Sequence, residues 1–309
     1  MKITVTGHHD EITRLRIRRA AGDAQVTFTA DPAEGIEIAD AVVGNVPDPL
    51  LAKAPKLRWV HSPSAGVDGV LSDRLLASEV ILTSSTGNGA IPLAEHAMML
   101  MLMLSRDAPR WLRAQSQRRW DRYVHGELAG RTVGLYGLGH AGLDLAAKAK
   151  ACHMRVLGMR RSPGTTAPGV DVLLGQDDFP RFLAESDFVV VTAPLTTATA
   201  GRFDRAAFAA MRPTAFFVCV SRGGIADDEA LLDALRRGEI AGAGLDAHGM
   251  EPLPCDSPFW TLPNVIVTPH NGATTDETAR RGLDIMLDNV GRFARGEPLR
   301  NIVDKAAGY

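Results

Sequence analysis

Three polar residues in the C-terminal half of the chain each follow an apolar run. Arg222 comes after residues 215–220 in VCVSRGG, Glu251 follows AGLD (243–246) in HGMEPLP, and His270 ends VIVTP (265–269). In an open α/β sheet the active site is built on loops at the carboxyl ends of strands, so the three are candidates for one catalytic set. A guanidinium grips a carboxylate and polarises the neighbouring carbonyl with its two-pronged fork. An imidazole exchanges a proton near neutral pH. A carboxylate beside it favours the charged ring and fixes its orientation. Together these groups suit delivery of a hydride to a ketone carbon and of a proton to its oxygen. Taken singly, each has an ordinary use: a salt bridge for Arg222, a solvated carboxylate for Glu251, a strand-end turn for His270. The joint pattern carries the weight.

A hydride needs a carrier, and the stretch TVGLYGLGHAG (132–142) is built to hold one. Thr132, Val133, Leu135 and Tyr136 are strand formers. Gly137, Leu138, Gly139, His140, Ala141 and Gly142 then give G-x-G-x-x-G, and 143–150 continues with helical spacing. Gly137 permits a tight turn, Gly139 lets the backbone approach a pyrophosphate, and Gly142 lets helix and strand pack closely. His140 in this loop is read as exposed. The next strand ends in Arg160-Arg161-Ser162, with no acid at the position where NAD is usually held by its ribose hydroxyls. Paired guanidiniums and a hydroxyl suit a 2′-phosphate, so NADP(H) is favoured over NAD(H). Two solvated arginines are the plainer alternative. Residues 62–68, SPSAGVD, form a small-residue loop after a strand. There, free N–H groups could meet an anion or simply make a turn.

These elements must be positioned by a regular scaffold. The 309 residues are 45% hydrophobic, enough for two cores. A net charge of −2 gives no reason to expect nucleic acid or an anionic membrane as a partner. The three scattered cysteines suit a reducing cytoplasm and argue against a disulfide framework or a zinc site. Charged residues follow the first strand where a signal peptide would need an apolar core, so export is not expected. The run 97–104 is too short to span a bilayer. Strands are expected at 3–6, 26–29, 41–43, 57–60 and 80–82, then at 132–136, 154–158, 188–192, 214–220, 240–245 and 265–268. The spacing predicts one long helix over 88–119, kinked or ended by Pro109, then helices near 140–150, 204–211, 227–237 and 275–296. The methionines of 98–103 are read as core filling. Trp111, Trp120 and Tyr123 are read the same way, with reach to a partner subunit as the other use. His61 is kept as a possible substrate neighbour, and the pair His8-His9 lacks further metal ligands.

The segment SRGGIADDEALLDALRRGEIAGAGLDAHGMEPLPCDSPFWTLPNVIVTPH resembles the signature region of the D-isomer-specific 2-hydroxyacid dehydrogenases. AGVD (65–68), AEH (94–96), ELAGRTVGLYGLGHAG (127–142) and APLTTAT (193–199) match the same family in the same order. The resemblance covers nearly the whole chain. It implies an α/β protein of two doubly wound parallel-sheet domains. A Rossmann coenzyme domain (96–284) would be inserted into a flavodoxin-like substrate-binding domain (1–95 and 285–309), with an active site in a cleft and homodimers formed through the coenzyme domain. It further implies that Arg222 binds the carboxylate and carbonyl of a 2-oxo acid, that His270 is the acid–base and that Glu251 pairs with it. The backbone at Ala65 and Gly66 would help hold the carboxylate. Asp246 matches the position that contacts the nicotinamide carboxamide, and Ala193, Pro194, Val220, Ser221 and Gly272 match positions lining the cofactor.

The chain departs from the family pattern at four places. Arg160 stands where NAD-using members carry Asp. Cys219 replaces a frequent Asn and is read as a buried neutral change. Ala193 lacks a bulkier side chain, and Asn271-Gly272-Ala273 is more polar than usual. The expected activity is reduction of a small 2-oxo acid (glyoxylate, hydroxypyruvate or a bulkier one) to the D-2-hydroxy acid. A formate- or phosphite-type dehydrogenase is an alternative, disfavoured in the formate case because those enzymes carry Gln where this chain has Glu251. The end at Tyr309 speaks against a long serine-pathway dehydrogenase. A non-catalytic nucleotide sensor on the same fold would keep the same three residues and stays open.

Overall fold

Short apolar runs, each followed by a longer amphipathic stretch, fold as strand and crossover helix, which sets the strands side by side and parallel. The computed structural model describes residues 1–161 and 166–309. The chain divides into two compact units, one of Met1–Gly89 with Thr275–Tyr309 and the other of Ala90–Thr274. These units change over at the starts of two helices, Ala90–Ser105 and Asp276–Arg295.

The first unit begins β1 (Lys2–Thr6), α1 (Glu11–Ala21), β2 (Gln25–Thr29), β3 (Ala41–Val43), α2 (Asp48–Leu51), β4 (Trp59–Ser62), α3 (Asp73–Leu76) and β5 (Ile81–Ser84). Its sheet runs β2-β1-β3-β4-β5, all parallel, the flavodoxin-like order. All of β4 is buried, which is why it reads as a run rather than an alternation.

The second unit contains α4 (Ala90–Ser105), α5 (Ala108–Ser116), β6 (Thr132–Tyr136), α6 (His140–Ala151), β7 (Arg155–Met159), β8 (Val172–Leu174), α7 (Phe179–Glu185), β9 (Phe188–Val191), α8 (Arg205–Ala209), β10 (Phe216–Cys219), α9 (Asp228–Arg237), β11 (Gly242–Leu245) and β12 (Val265–Val267). The order is β12-β11-β10-β9-β6-β7-β8, the Rossmann arrangement with its direction reversing between β6 and β9. One face carries an aromatic core in which Phe182, Phe203, Phe208 and Phe217 are fully buried. Each contributes about 1.5–3 kcal/mol. On the other face α4 packs against α6, with Leu100, Met101 and Leu145 inaccessible to solvent.

The long helix expected over 88–119 is two helices. Asp107 turns the chain with a left-handed φ of 49°, and Pro109 sits in the first turn of α5, where its missing N–H is no loss. β8 and α7 lie beyond the expected elements. The chain then returns to the first unit as α10 (Asp276–Arg295), capped by Thr275 and ended by Gly296 at φ 70°. Met286, Val290 and Phe293 of α10 close over Ile3, Val5 and Trp59. Val303 donates its N–H to Leu82 O at 2.9 Å.

Candidate active site

β6 runs straight into the glycine loop at the point where strand order reverses. Gly137 has φ 110°, and a Cβ there would fall 2.5 Å from Ala193 N. A Cβ on Gly142 would fall 2.2 Å from Gly137 O, so the first turn of α6 abuts the strand end. Around Gly139, by contrast, nothing described lies within 4 Å of that position. α6 starts at His140 with no acidic residue in its first turn, so its free N–H groups and positive end suit an anion. Ala193 and Pro194 follow β9, and Val220 and Ser221 follow β10, all at the same sheet edge. The Ser221 hydroxyl is buried and has no hydrogen-bond partner among the described residues. A Gly-rich cradle, an open approach at Gly139 and an orphaned hydroxyl fit a dinucleotide.

Arg160 follows β7, half-buried, and Arg161 is exposed beside it. One Arg160 Nη donates to Thr166 O at 3.5 Å. Ser162 lies outside the described residues.

Arg222, Glu251 and His270 follow the carboxyl ends of β10, β11 and β12, three neighbouring strands. Arg222 is half-buried and donates from Nη1 to Ser221 O at 2.8 Å. Glu251 Oε2 lies 2.7 Å from His270 Nδ1. Partial burial alone would raise the Glu251 carboxyl, but the His248 N–H and the His270 ring outweigh it and hold the group below the usual carboxylate range. An ionised carboxylate only accepts, so Nδ1 of His270 carries a proton in this contact. His270 itself stands at φ 51°, a backbone region a non-glycine residue occupies at a cost.

What holds that conformation is a buried hub. The Asp246 side chain is wholly inaccessible. It accepts from Thr268 Oγ1 at 2.7 Å, Asn271 N at 3.1 Å and Gly272 N at 3.0 Å. His96 Nε2 lies 3.4 Å from its Oδ1 and 2.9 Å from Thr268 Oγ1. Asp246 thus ties down the turn after His270, and a Cβ on Gly272 would fall 2.8 Å from its Oδ2. His96 is visible in the sequence only as part of the AEH match, and nothing in the sequence singles out His248.

Other sequence candidates fall elsewhere. Ala65, exposed, and Gly66, half-buried, follow β4 in the first unit. His61 is fully buried there, with Nδ1 2.8 Å from Thr83 Oγ1 and Nε2 3.4 Å from Ser85 Oγ. It is a core residue and not a surface from which a substrate could be touched. Burial pushes the Cys219 thiol up to about 11, so it stays protonated. His140 is exposed at the first position of α6. Core packing fails for Trp120, which is 90% exposed, because no regular element covers the segment after α5. Trp111 is also exposed. Tyr123 is tucked in, donating to Arg106 O at 2.6 Å beneath the Arg110 guanidinium. Among the described residues no cluster of His, Cys, Asp and Glu could hold a metal ion, and no helix is long and apolar enough to cross a membrane.

Residues 98–272 match the family model described as D-isomer specific 2-hydroxyacid dehydrogenase, NAD binding domain. The D-3-phosphoglycerate dehydrogenase of Methanocaldococcus jannaschii is 33% identical over 98% of this chain, which spans 59% of that relative's length. Glyoxylate/hydroxypyruvate reductase B of Pectobacterium carotovorum subsp. carotovorum is 34% identical over 84% of this chain and 83% of its own length. Among solved structures, a D-isomer specific 2-hydroxyacid dehydrogenase from Xanthobacter autotrophicus Py2, in complex with NADPH and MES, superposes with a TM-score of 0.87 at 33% identity over 99% of each chain. An NADPH-dependent glyoxylate/hydroxypyruvate reductase from Sinorhizobium meliloti, in complex with NADP and sulfate, does so with a TM-score of 0.86 at 31% identity over 100% of this chain and 99% of that one.

Proposed function

Since the chain belongs to the D-isomer specific 2-hydroxyacid dehydrogenase family, we propose that it reduces a small 2-oxo acid to the D-2-hydroxy acid, with NADP(H) as the favoured cofactor. The observation that carries the reading is the 2.7 Å contact of Glu251 Oε2 with His270 Nδ1, one strand over from Arg222. The reduced nicotinamide, when bound, supplies the hydride. His270 gives the carbonyl oxygen its proton from Nε2, and Glu251 keeps the ring oriented through its contact with Nδ1. The Arg222 guanidinium clamps the substrate carboxylate and draws charge from the carbonyl. Backbone N–H groups at Ala65 and Gly66 are assigned, by the resemblance, to the same carboxylate. Gly137 to Gly142, Ala193, Pro194, Val220, Ser221, Asp246 and Gly272 are assigned to the cofactor on the same ground.

Arg160 and Arg161, at the end of β7, support the preference for a 2′-phosphate, and two similar solved proteins are described as bound to NADPH and NADP. Glyoxylate and hydroxypyruvate are the first substrates to test, because a similar curated protein is named for them. Homodimerisation and a cytoplasmic location complete the reading. The exposed Trp111, Leu112, Trp120 and Val124 support the first.

The test is steady-state kinetics with glyoxylate, hydroxypyruvate and bulkier 2-oxo acids, each with NADPH and NADH. Turnover is expected, with higher kcat/KM for NADPH. Arg222→Ala and His270→Ala are each expected to lower kcat/KM by about 100-fold or more, while cofactor affinity measured by fluorescence titration stays within a few-fold. Activity retained in either variant overturns the assignment, and equal efficiency with NADH overturns the cofactor preference.

A further inference from the structure

One residue outside the Arg–Glu–His set, His248, meets the segments that carry all three, through its main chain and its ring. His248 lies just past β11 and is 7% exposed. Its backbone N–H donates to Glu251 Oε1 at 2.9 Å, while the other carboxylate oxygen takes the His270 ring. Its own ring places Nε2 2.9 Å from Thr268 O. A carbonyl oxygen only accepts, so the His248 ring is the donor. Thr268 is two residues before His270, and Pro269 between them has no N–H to anchor the chain. The left-handed turn at His270 is therefore held before it by the His248 ring on Thr268 O and after it by Asp246 on the Asn271 and Gly272 N–H groups. The Arg222 loop abuts the same residue: a Cβ on Gly223 would fall 1.9 Å from the His248 carbonyl carbon.

We propose that His248 is a positioning residue for the Glu251–His270 pair, holding the carboxylate through its main chain and the strand end that carries the imidazole through its ring. The inference rests on reading that pair as the acid–base. A phenyl ring of similar size would fill the space but leave the Thr268 carbonyl without its donor. The cost would then appear as a displaced imidazole more than as a cavity. The charged or titratable groups around His248 are Glu251 on its own loop, Asp228 on α9, and His96 and Asp246 beyond Thr268. The Asp228 carboxyl is pushed up by burial and partly restored by the Gly249 N–H. None of these replaces the ring as donor to Thr268 O.

The full-length chain with NADPH and glyoxylate tests this in three forms: wild type, His248→Phe and His248→Gln. The Phe variant is expected to lose about 10–100-fold in kcat with little change in KM for NADPH. The Gln variant keeps a side-chain N–H and should restore most of the loss in kcat. Nitrogen-15 NMR of the histidine rings gives a readout independent of turnover. The His270 Nδ1 proton is expected to be sharp in wild type and His248→Gln, and lost to exchange in His248→Phe. A Phe variant with wild-type kcat and Nδ1 signal overturns the proposal. Should that variant not fold, His248→Met, also without a donor, carries the same comparison. A wild-type protein that turns over no 2-oxo acid would sink the functional reading, while the NMR comparison would still decide the role of His248.

Discussion

At the scale of single residues, the two histidines His270 and His61 show opposite uses of one side chain. His270 is exposed and pinned through Nδ1 by the Glu251 carboxylate, the geometry the proposed proton transfer uses. His61 is sealed beneath Thr83 and Ser85, and burial pushes its titration down to about 4. Its folded value therefore lies below that of an unfolded histidine, near 6.5. Above that value both states are neutral, and His61 adds no pH dependence. Between 6.5 and about 4 the unfolded chain binds the proton that the folded chain refuses, so stability falls as pH falls through this window, by on the order of 3 kcal/mol in all. Denaturant unfolding at pH 7 and pH 4 should show that loss in the wild type and a clearly smaller one in His61→Gln. Equal losses would mean that the ring takes up its proton in the folded state. Arg222 and His270 stand out in the sequence as polar residues close behind apolar runs, and Glu251 in the loop that follows another. The contacts that hold them do not. His248 to Thr268 O and Asp246 to Gly272 N cross between neighbouring strands, and no spacing along the chain records which strands become neighbours.

Elements were legible where their ends carry chemistry. Thr275 and Gly296 bracket α10, and Gly238 ends α9 in a left-handed turn at φ 67°, as cap residues should. Elements without such marks escape notice. β8 has three residues at a sheet edge, and α7 has seven with Pro180 in its first turn. The break between α4 and α5 rests on Asp107 in a conformation its residue type does not announce. The β6–α6 corner depends on the absence of a side chain, which makes it testable. Gly142→Ala places a methyl 2.2 Å from Gly137 O, against backbone that has no flexible end to yield. The helix must back away from the strand, at a cost of about 1–3 kcal/mol. Calorimetry should show a lower Tm, and titration with NADPH should show affinity weaker by about tenfold or more as the helix terminus leaves the phosphates. Unchanged Tm and affinity would show that the corner is not the cradle.

For the whole molecule, the decisive fact is that one unit is continuous and the other is made from both ends of the chain. Ala90–Thr274 supplies its own sheet, its own helices on both faces and two buried clusters. The unit of Met1–Gly89 depends on α10, whose Met286, Val290 and Phe293 cover Ile3, Val5 and Trp59, with the Trp59 and Phe293 rings 5.0 Å apart. Those three side chains contribute about 1.5–3 kcal/mol each, a large share of the 5–15 kcal/mol or so that a domain has in total. A chain cut after Thr274 is therefore expected to keep a protease-resistant fragment spanning 90–274 and to lose residues 1–89 to limited proteolysis, as read by mass spectrometry. Protection of 1–89 in the shortened chain would show that the sheet closes without its last helix.

That discontinuity also sets a timetable for synthesis. The helix that caps the first sheet is made only after the whole inserted unit, roughly ten to forty seconds after residue 89 at ordinary elongation rates. During that interval the inserted unit can mature while the nascent N-terminal strands stand with Trp59 and Ile3 uncovered. Holdase chaperones are expected to find their footing on these uncovered strands.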